Sequence, residues 1–283
     1  MLDIWNEKNP LAEYVYKLDN YFIENTKSEE NICAIYFSSN NIWFPNTEKA
    51  FKKSFIENDY YEWKNFKYEK ARKHIFIRDI YKSWYVEGIN IRCNSVDKLL
   101  EFLKSETQGM GIITIGSSAG GYAAVLFGAI LKAQYTLCFS AQFNLFLGGN
   151  IDKNPFLKKN LDNPQKVNYY DIVPFLKQSL TPIFYFVPFY AKQDLPQIKY
   201  VKSLSNVYVF KMRSRHHGVP ILKCMLKNLI NLTYTDLLKI HNETSEKIIS
   251  QIAFSVKFVG ICSTFKFIFI ETLKQIKRGM TGE

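Results

Sequence analysis

Short runs rich in β-branched and aromatic residues recur as far as residue 212, separated by helical or turn-like sequence. Residues 32–37 (I-C-A-I-Y-F) come first and end in the polar turn Ser38-Ser39-Asn40-Asn41. Strands are expected again at 74–78 (H-I-F-I-R), 111–115, 134–139, 183–189 and 206–212. Between them, residues 95–105 place Val96, Leu99, Leu100 and Leu103 on one helical face, with Ser95 as N-cap. Residues 119–131 form a small-residue helix able to pack closely on a sheet, and residues 44–73, aromatic and highly charged, read as helix and loop. Strand and helix alternating in this way predict an α/β fold, its mostly parallel sheet covered on both faces and ending near residue 212. No Gly/Ser-rich linker divides the chain before that point.

The remainder is helical in pattern. Residues 219–232 and 237–249 are followed by an apolar run, 252–270, interrupted by Lys257 and Lys266. The run approaches membrane-spanning length, and a lysine at a bilayer centre costs about 2.5–3.5 kcal/mol. Neither lysine is central, so three readings stand: a span, a helix lying on a membrane anchored by Lys274, Lys277 and Arg278, and a helix packed on the domain or on a second subunit. The last is preferred.

The chain has 283 residues, 47% of them hydrophobic, so it can build a large core, and collagenous and disordered classes are excluded. A net charge of +11 favours acidic partners: nucleic acid, an anionic membrane surface, a phosphorylated cofactor or a polyanionic glycan. The charge is dispersed, however. Lys52-Lys53, Lys158-Lys159 and Arg213-Ser214-Arg215 make no long stripe, so nucleic acid is not expected. The five cysteines, Cys33, Cys93, Cys138, Cys224 and Cys262, never form a C-x-x-C pair, and three lie in apolar runs (Cys33, Cys138, Cys262). Buried reduced thiols are expected, with neither a disulfide framework nor a metal site. No basic segment followed by an apolar one opens the chain, so no signal peptide is expected and a cytoplasmic location fits.

One motif carries chemistry. Gly116-Ser117-Ser118-Ala119-Gly120 is G-x-S-x-G between a strand and a helix, the setting in which a serine hydroxyl is held at the tip of a sharp turn. Ser118 is the nucleophile, and Ser117 a packing residue. A free hydroxyl is a poor nucleophile at neutral pH and needs a base. Among His74, His216, His217 and His241, the order Ser, acid, His requires one after the last strand, and His217, beside Gly218, is chosen over His216. His74 is expected to be structural and His241 exposed. The acid should follow the preceding strand, which points to Asp194 ahead of Asp152, Asp162 and Asp171. Of the two oxyanion-hole donors, one is the backbone N–H of Ala119; the other comes from Ser38, Ser39 or Asn40, with Ser39 first.

With these residues in place, the sequence resembles the α/β-hydrolase superfamily over roughly residues 30–220. G-S-S-A-G-G-Y-A-A, C-F-S-A-Q-F-N (138–144), R-D-I-Y-K-S-W-Y (78–85) and H-G-V-P (217–220) look like a bacterial group encoded beside glycosyltransferases for capsules and other surface polysaccharides. The resemblance implies a Ser118–Asp194–His217 triad, and chemistry like that of serine-dependent polysaccharide O-acetyltransferases and esterases. It also brings Arg78, Asp79, Trp84 and Tyr85 into view, either as substrate-binding residues (Arg78, Trp84 and Tyr85 foremost) or as structural ion pairs and core packing, while the His-Gly-Gly-Gly oxyanion loop of common lipases is missing. The expected organisation is an α/β-hydrolase domain over 1–232, with a lid-like insertion at about 145–180, and a helical extension over 233–283. The leading function is acetyl transfer to a sugar hydroxyl, with acetyl-CoA as co-substrate, no bound cofactor, and a carbohydrate, anionic in one version, as acceptor. Ester hydrolysis or deacetylation by the same residues, and a non-catalytic module of the polysaccharide machinery, are the alternatives. The C-terminal helices are expected to provide peripheral contact with the inner membrane face or self-association.

Overall fold

A computed structural model describes residues 9–281. Among the described residues, seven strands form one sheet: β1 (Tyr21–Asn25), β2 (Ile32–Phe37), β3 (Lys73–Ile77), β4 (Gly111–Ser117), β5 (Tyr135–Phe139), β6 (Ile183–Pro188) and β7 (Val207–Met212). Their order is β1-β3-β2-β4-β5-β6-β7; β1 pairs antiparallel with β3, and every other pair is parallel. Among the strands, the edge strand β1 is the one that sequence pattern did not signal. Its Y-F-I-E-N is half-buried over Tyr21–Glu24 and exposed at Asn25, so it lacks the apolar run that marks a strand covered on both faces.

Period-two alternation sends side chains to both faces. Cys33, Ile35 and Phe37 of β2 enter one core, and Ala34 and Tyr36 the other; β6 divides likewise into Ile183, Tyr185 and Val187 against Phe184 and Phe186. The first face is covered by the crossover helices Val96–Glu106, Ala119–Ile130 and Leu195–Val201. Ser95 caps the first of these, its side chain accepting the Lys98 N–H. The second face is covered by Tyr61, Trp63 and Tyr68 and by helices Lys223–Ile230 and Tyr234–Thr244.

That second layer moves the expected boundary at 232/233. Leu237, Ile240, Ile249 and Phe254 are buried against the sheet, and Ile249 extends the sheet beside Met212, its amide donating to Lys211 O and its carbonyl accepting from Arg213 N. Residues 233–259 therefore belong to the domain. Gly260, with φ +81° and ψ +166°, then breaks the helical segment Gln251–Thr281. Ser255 Oγ lies 3.0 Å from Thr264 Oγ1 although nine residues separate them, so the chain doubles back at the glycine. Among the cysteines, Cys33, Cys93 and Cys138 are buried, but Cys262, just beyond this break, is exposed, contrary to expectation.

Helix Ala119–Ile130 sits unusually close to the sheet. Thr114 Oγ1 donates to the Ala124 carbonyl at 2.8 Å. A Cβ on Gly116 would lie 2.0 Å from Gly120 O, and one on Gly120 would lie 2.2 Å from Phe37 O. The obstructing atoms are backbone, which cannot rotate away. Gly120→Ala is expected to destabilise the protein by at least about 2 kcal/mol in urea unfolding, since an overpacked core must shift its backbone. Gly109→Ala, which meets no atom within 4 Å, should cost only the ~1 kcal/mol of a strained φ.

Candidate active site

The sheet's winding reverses between β2 and β4, and in open α/β sheets the crevice at such a reversal, beyond the strands' C-terminal ends, is where ligands bind. Every proposed catalytic group is delivered there. Ser118 follows β4 and heads helix Ala119–Ile130 in a backbone conformation of φ +56°, ψ −121°. A non-glycine residue holds such a conformation only where its surroundings impose it. Here the Ser118 N–H donates to Phe139 O and its carbonyl accepts from Tyr122 N, fixing both sides of the turn.

Asp194 and His217 follow β6 and β7. His217 Nδ1 lies 3.0 Å from both carboxylate oxygens of Asp194, and Nε2 lies 2.8 Å from Ser118 Oγ. Asp194 is 1% exposed, so its carboxylate keeps the proton on Nδ1 and leaves Nε2 as the acceptor facing the serine hydroxyl. Strand order, the sharp turn at Ser118 and the sequence order Ser–Asp–His together are those of the α/β-hydrolase fold.

Two residues to which the sequence assigned no individual role brace the loops around this site. Ser140, at the end of β5, donates to Gly218 O and accepts from Gly218 N, pinning the loop that carries His217. Gln197 lies on the helix that follows Asp194. Its amide oxygen accepts from Phe143 N and Asn144 N, and its amide nitrogen donates to Asn144 O. Both sit within or beside expected elements, but nothing in their spacing marks them.

The cavity above Ser118 measures about 530 Å³ and is walled by Tyr60, Glu62, Trp63 and Phe66 on one side and by His217, Val219, Lys223 and Leu226 on the other. Its cover is therefore the aromatic stretch between β2 and β3. Residues 145–180, expected as a lid, contribute no lining residue; they form short helices packed beside Ala119–Ile130, where Tyr122 donates to the Tyr169 carbonyl. Of the weaker acid candidates, Asp171 is engaged by Tyr200 and the Val173 amide, away from His217.

Arg78, Trp84 and Tyr85 also do not line the cavity, a second correction. Arg78 is 1% exposed and bonded to Asn20, the Tyr60 carbonyl and Asp59. Tyr85 is fully buried, its hydroxyl donating to Ser38 O. Trp84 Nε1 donates to Gln142, whose amide nitrogen lies 3.4 Å from His217 Nε2, so it backs the site without facing substrate. Asp79 organises the whole segment by accepting from the amides of Tyr81, Ser83 and Tyr85 and from the Ser83 hydroxyl; burial still raises its carboxyl to about 6. His74 is structural as expected, bonded to Tyr36, with burial lowering it to about 4. His216 is exposed, whereas His241 is half-buried against the rings of Tyr208 and Phe210.

The oxyanion side is more constrained than expected. Ala119 opens its helix, so its N–H has no intrahelical acceptor. The Ser38 N–H is spent on Ile77 O, and the Asn40 side chain turns away, its Nδ2 donating to Lys82 O. Ser39 does line the cavity, but its N–H donates to Glu62 Oε2 at 2.6 Å and its hydroxyl to Oε1 at 2.8 Å. Burial raises the Glu62 carboxyl to about 7 against the pull of those two bonds and of Lys82. An oxyanion can take the Ser39 N–H only in exchange with this carboxylate.

No protein-family model matches the chain, and no curated protein sequence matches it. Solved structures with some likeness include a capsule O-acetyltransferase of Neisseria meningitidis serogroup A, at 12% identity and a TM-score of 0.49 over 68% of this chain and 83% of that one. A form of the same enzyme in complex with CoA gives 12% and 0.45 over 80% and 90%. The fluorophosphonate-binding serine hydrolase FphF of Staphylococcus aureus gives 15% and 0.44 over 66% and 76%. At these values, fold and site rest on the chain's own geometry.

Asp194→Asn should leave the fold intact but lower acyl-enzyme formation by about four orders of magnitude, because the amide favours the wrong imidazole tautomer; stopped-flow hydrolysis of an activated ester measures it. Glu62→Gln tests the second carboxylate. The folded-state value of Glu62, about 7, lies above its usual 4.5, so the folded protein holds the proton more tightly. That contribution is complete below pH 4.5 and is lost as pH rises towards 7. Relative to the wild type, Glu62→Gln should gain on the order of 3 kcal/mol between pH 4.5 and 8 in urea unfolding.

Proposed function

We propose that the protein is a serine-dependent acyltransferase that moves an acetyl group from a donor such as acetyl-CoA to a hydroxyl of a sugar or surface polysaccharide. The observation that carries the acyl-transfer reading is the bond from His217 Nε2 to Ser118 Oγ at 2.8 Å, with Asp194 on the other ring nitrogen. In the first half-reaction Ser118 Oγ attacks the thioester carbonyl as His217 Nε2 takes its proton. The C–S bond breaks, and the imidazolium returns the proton to the departing thiolate, leaving an acetyl ester on Ser118. In the second, His217 takes the proton of a sugar hydroxyl whose oxygen attacks that ester, and the proton passes to Ser118 Oγ as it leaves. Asp194 remains ionised throughout and stabilises the imidazolium.

The cavity's character supports a carbohydrate acceptor. Tyr60, Trp63 and Phe66 offer flat apolar faces against which the C–H face of a sugar ring can lie, and Lys223 at the rim suits an anionic donor or glycan. An enzyme drawing on acetyl-CoA would work in the cytoplasm. Hydrolysis by the same residues differs only in admitting water as acceptor, and a binding module would need none of this geometry.

Purified protein incubated with radiolabelled acetyl-CoA and a capsule-type glycan should transfer label to the glycan, and Ser118→Ala should abolish transfer. Acetyl release to water with no label on any glycan would replace the transferase by an esterase. A wild-type protein that fails to react with a fluorophosphonate probe would remove the enzymatic reading altogether.

A further inference from the structure

The chain beyond Gly260 carries a surface that the domain leaves uncovered. Up to the glycine, the helical segment is part of the core: Phe254 is 4% exposed and packs near Phe186, and Ser255 Oγ lies 3.4 Å from Cys224 Sγ. After it, Thr264 is buried against Ser255, and the helix then leaves the domain. Ile261, Phe265, Phe269, Leu273 and Ile276 are 64, 54, 64, 43 and 48% exposed. They recur at intervals of four, four, four and three residues, which at 100° per residue confines them to an arc of about 120° along some 22 Å of helix. Lys274 and Glu271, paired with each other, lie on the opposite side, and Lys266 flanks the apolar arc.

A span is disfavoured by the same geometry. Gln251–Lys274 is long and apolar enough to cross a bilayer by length and composition alone. Gly260 divides it, however, and the part before the glycine cannot enter lipid without dismantling the second face of the core. The part after it places Lys266, Glu271 and Lys274 within its middle third or next to it, where each charge costs about 2.5–3.5 kcal/mol. A broad, phenylalanine-bearing apolar arc, with the Lys274–Glu271 pair as well as Phe267 outside it, fits the boundary between headgroups and acyl chains. Residues 261–281 carry four basic side chains against one acidic, on a chain of net charge +11, so the complementary surface is an anionic one.

We propose that the helix after Gly260 lies in the plane of an anionic bilayer surface, with Ile261, Phe265, Phe269, Leu273 and Ile276 in the acyl boundary. The domain is thereby held at the membrane as a peripheral protein, whatever reaction it performs. The test is sedimentation of the full chain with phosphatidylcholine vesicles and with vesicles containing phosphatidylglycerol. Binding to the anionic vesicles should exceed binding to the neutral ones and weaken as salt is raised. Phe265→Glu/Phe269→Glu should reduce it at least tenfold without changing the thermal melting curve, because both side chains are exposed. No binding to anionic vesicles, or equal binding by the double variant, would overturn the proposal. So would a dimer that ignores vesicles and that the double variant converts to monomer, since the apolar arc would then belong to a second copy.

Discussion

The site depends on how closely helix Ala119–Ile130 can approach β2 and β4. Gly116 and Gly120 touch backbone to backbone, and Gly120 also meets the end of β2 at Phe37. At this distance the chain must reverse within a single residue, and Ser118 takes the conformation of φ +56° that the reversal demands. A strained residue of this kind costs about 1–3 kcal/mol. The cost is met by the burial of almost the whole helix, from Ala119 to Ala129, and by threonines that hydrogen-bond into its backbone. The strain fixes one vector, that of Ser118 Oγ, and the ends of β6 and β7 can then supply an acid and a base at constant positions. Since parallel strands all end on the same side, the topology brings together residues 76 and 23 positions apart in sequence.

Two buried carboxylates stand near this centre, and their partners set their roles. Asp194 has the imidazole of His217 as its partner, so its charge acts on the ring that faces the Ser118 hydroxyl. Asp79 is given four donors and uses them to fold the segment 79–85, where Lys82, Trp84 and Tyr85 all adopt positive φ. That segment in turn supports the site from behind, through the Tyr85 hydroxyl on Ser38 O and through Trp84 on Gln142. The motif 78–85 therefore serves the site as a backing layer, and Arg78, Trp84 and Tyr85 are buried for that reason.

The three residues that meet at the site were legible in the sequence because each is tied to a local rule: glycine spacing for Ser118, and a position just past a strand for Asp194 and His217. The strands covered on both faces were legible in the same way, since a short apolar run without polar alternation is what burial on both sides of a sheet requires. What was not legible depends on long-range packing. The edge strand Tyr21–Asn25 is only half-buried and carries no strong pattern. The cavity's aromatic wall comes from the stretch between β2 and β3, whose composition reads equally well as loop, and no periodicity assigns it to the site in place of residues 145–180. Hydropathy registers the 252–270 run as one segment, because glycine is nearly neutral on such scales; its turn at Gly260 appears only through the contact of Ser255 with Thr264.

Glu62 belongs to that same aromatic stretch, and it changes what the oxyanion side of the site can mean. An empty donor pair gains the full strength of a new hydrogen bond when the carbonyl oxygen becomes negative. A donor already held by a carboxylate at 2.6 Å gains only the difference between two anionic acceptors. With its carboxyl raised to about 7, Glu62 sits near the point where proton uptake weakens its hold on Ser39. A charged Glu62 and a developing oxyanion at the same amide would also repel each other. The arriving acyl group must therefore displace Glu62 or find it protonated, and of the two expected donors the Ala119 N–H is the one that needs no such exchange.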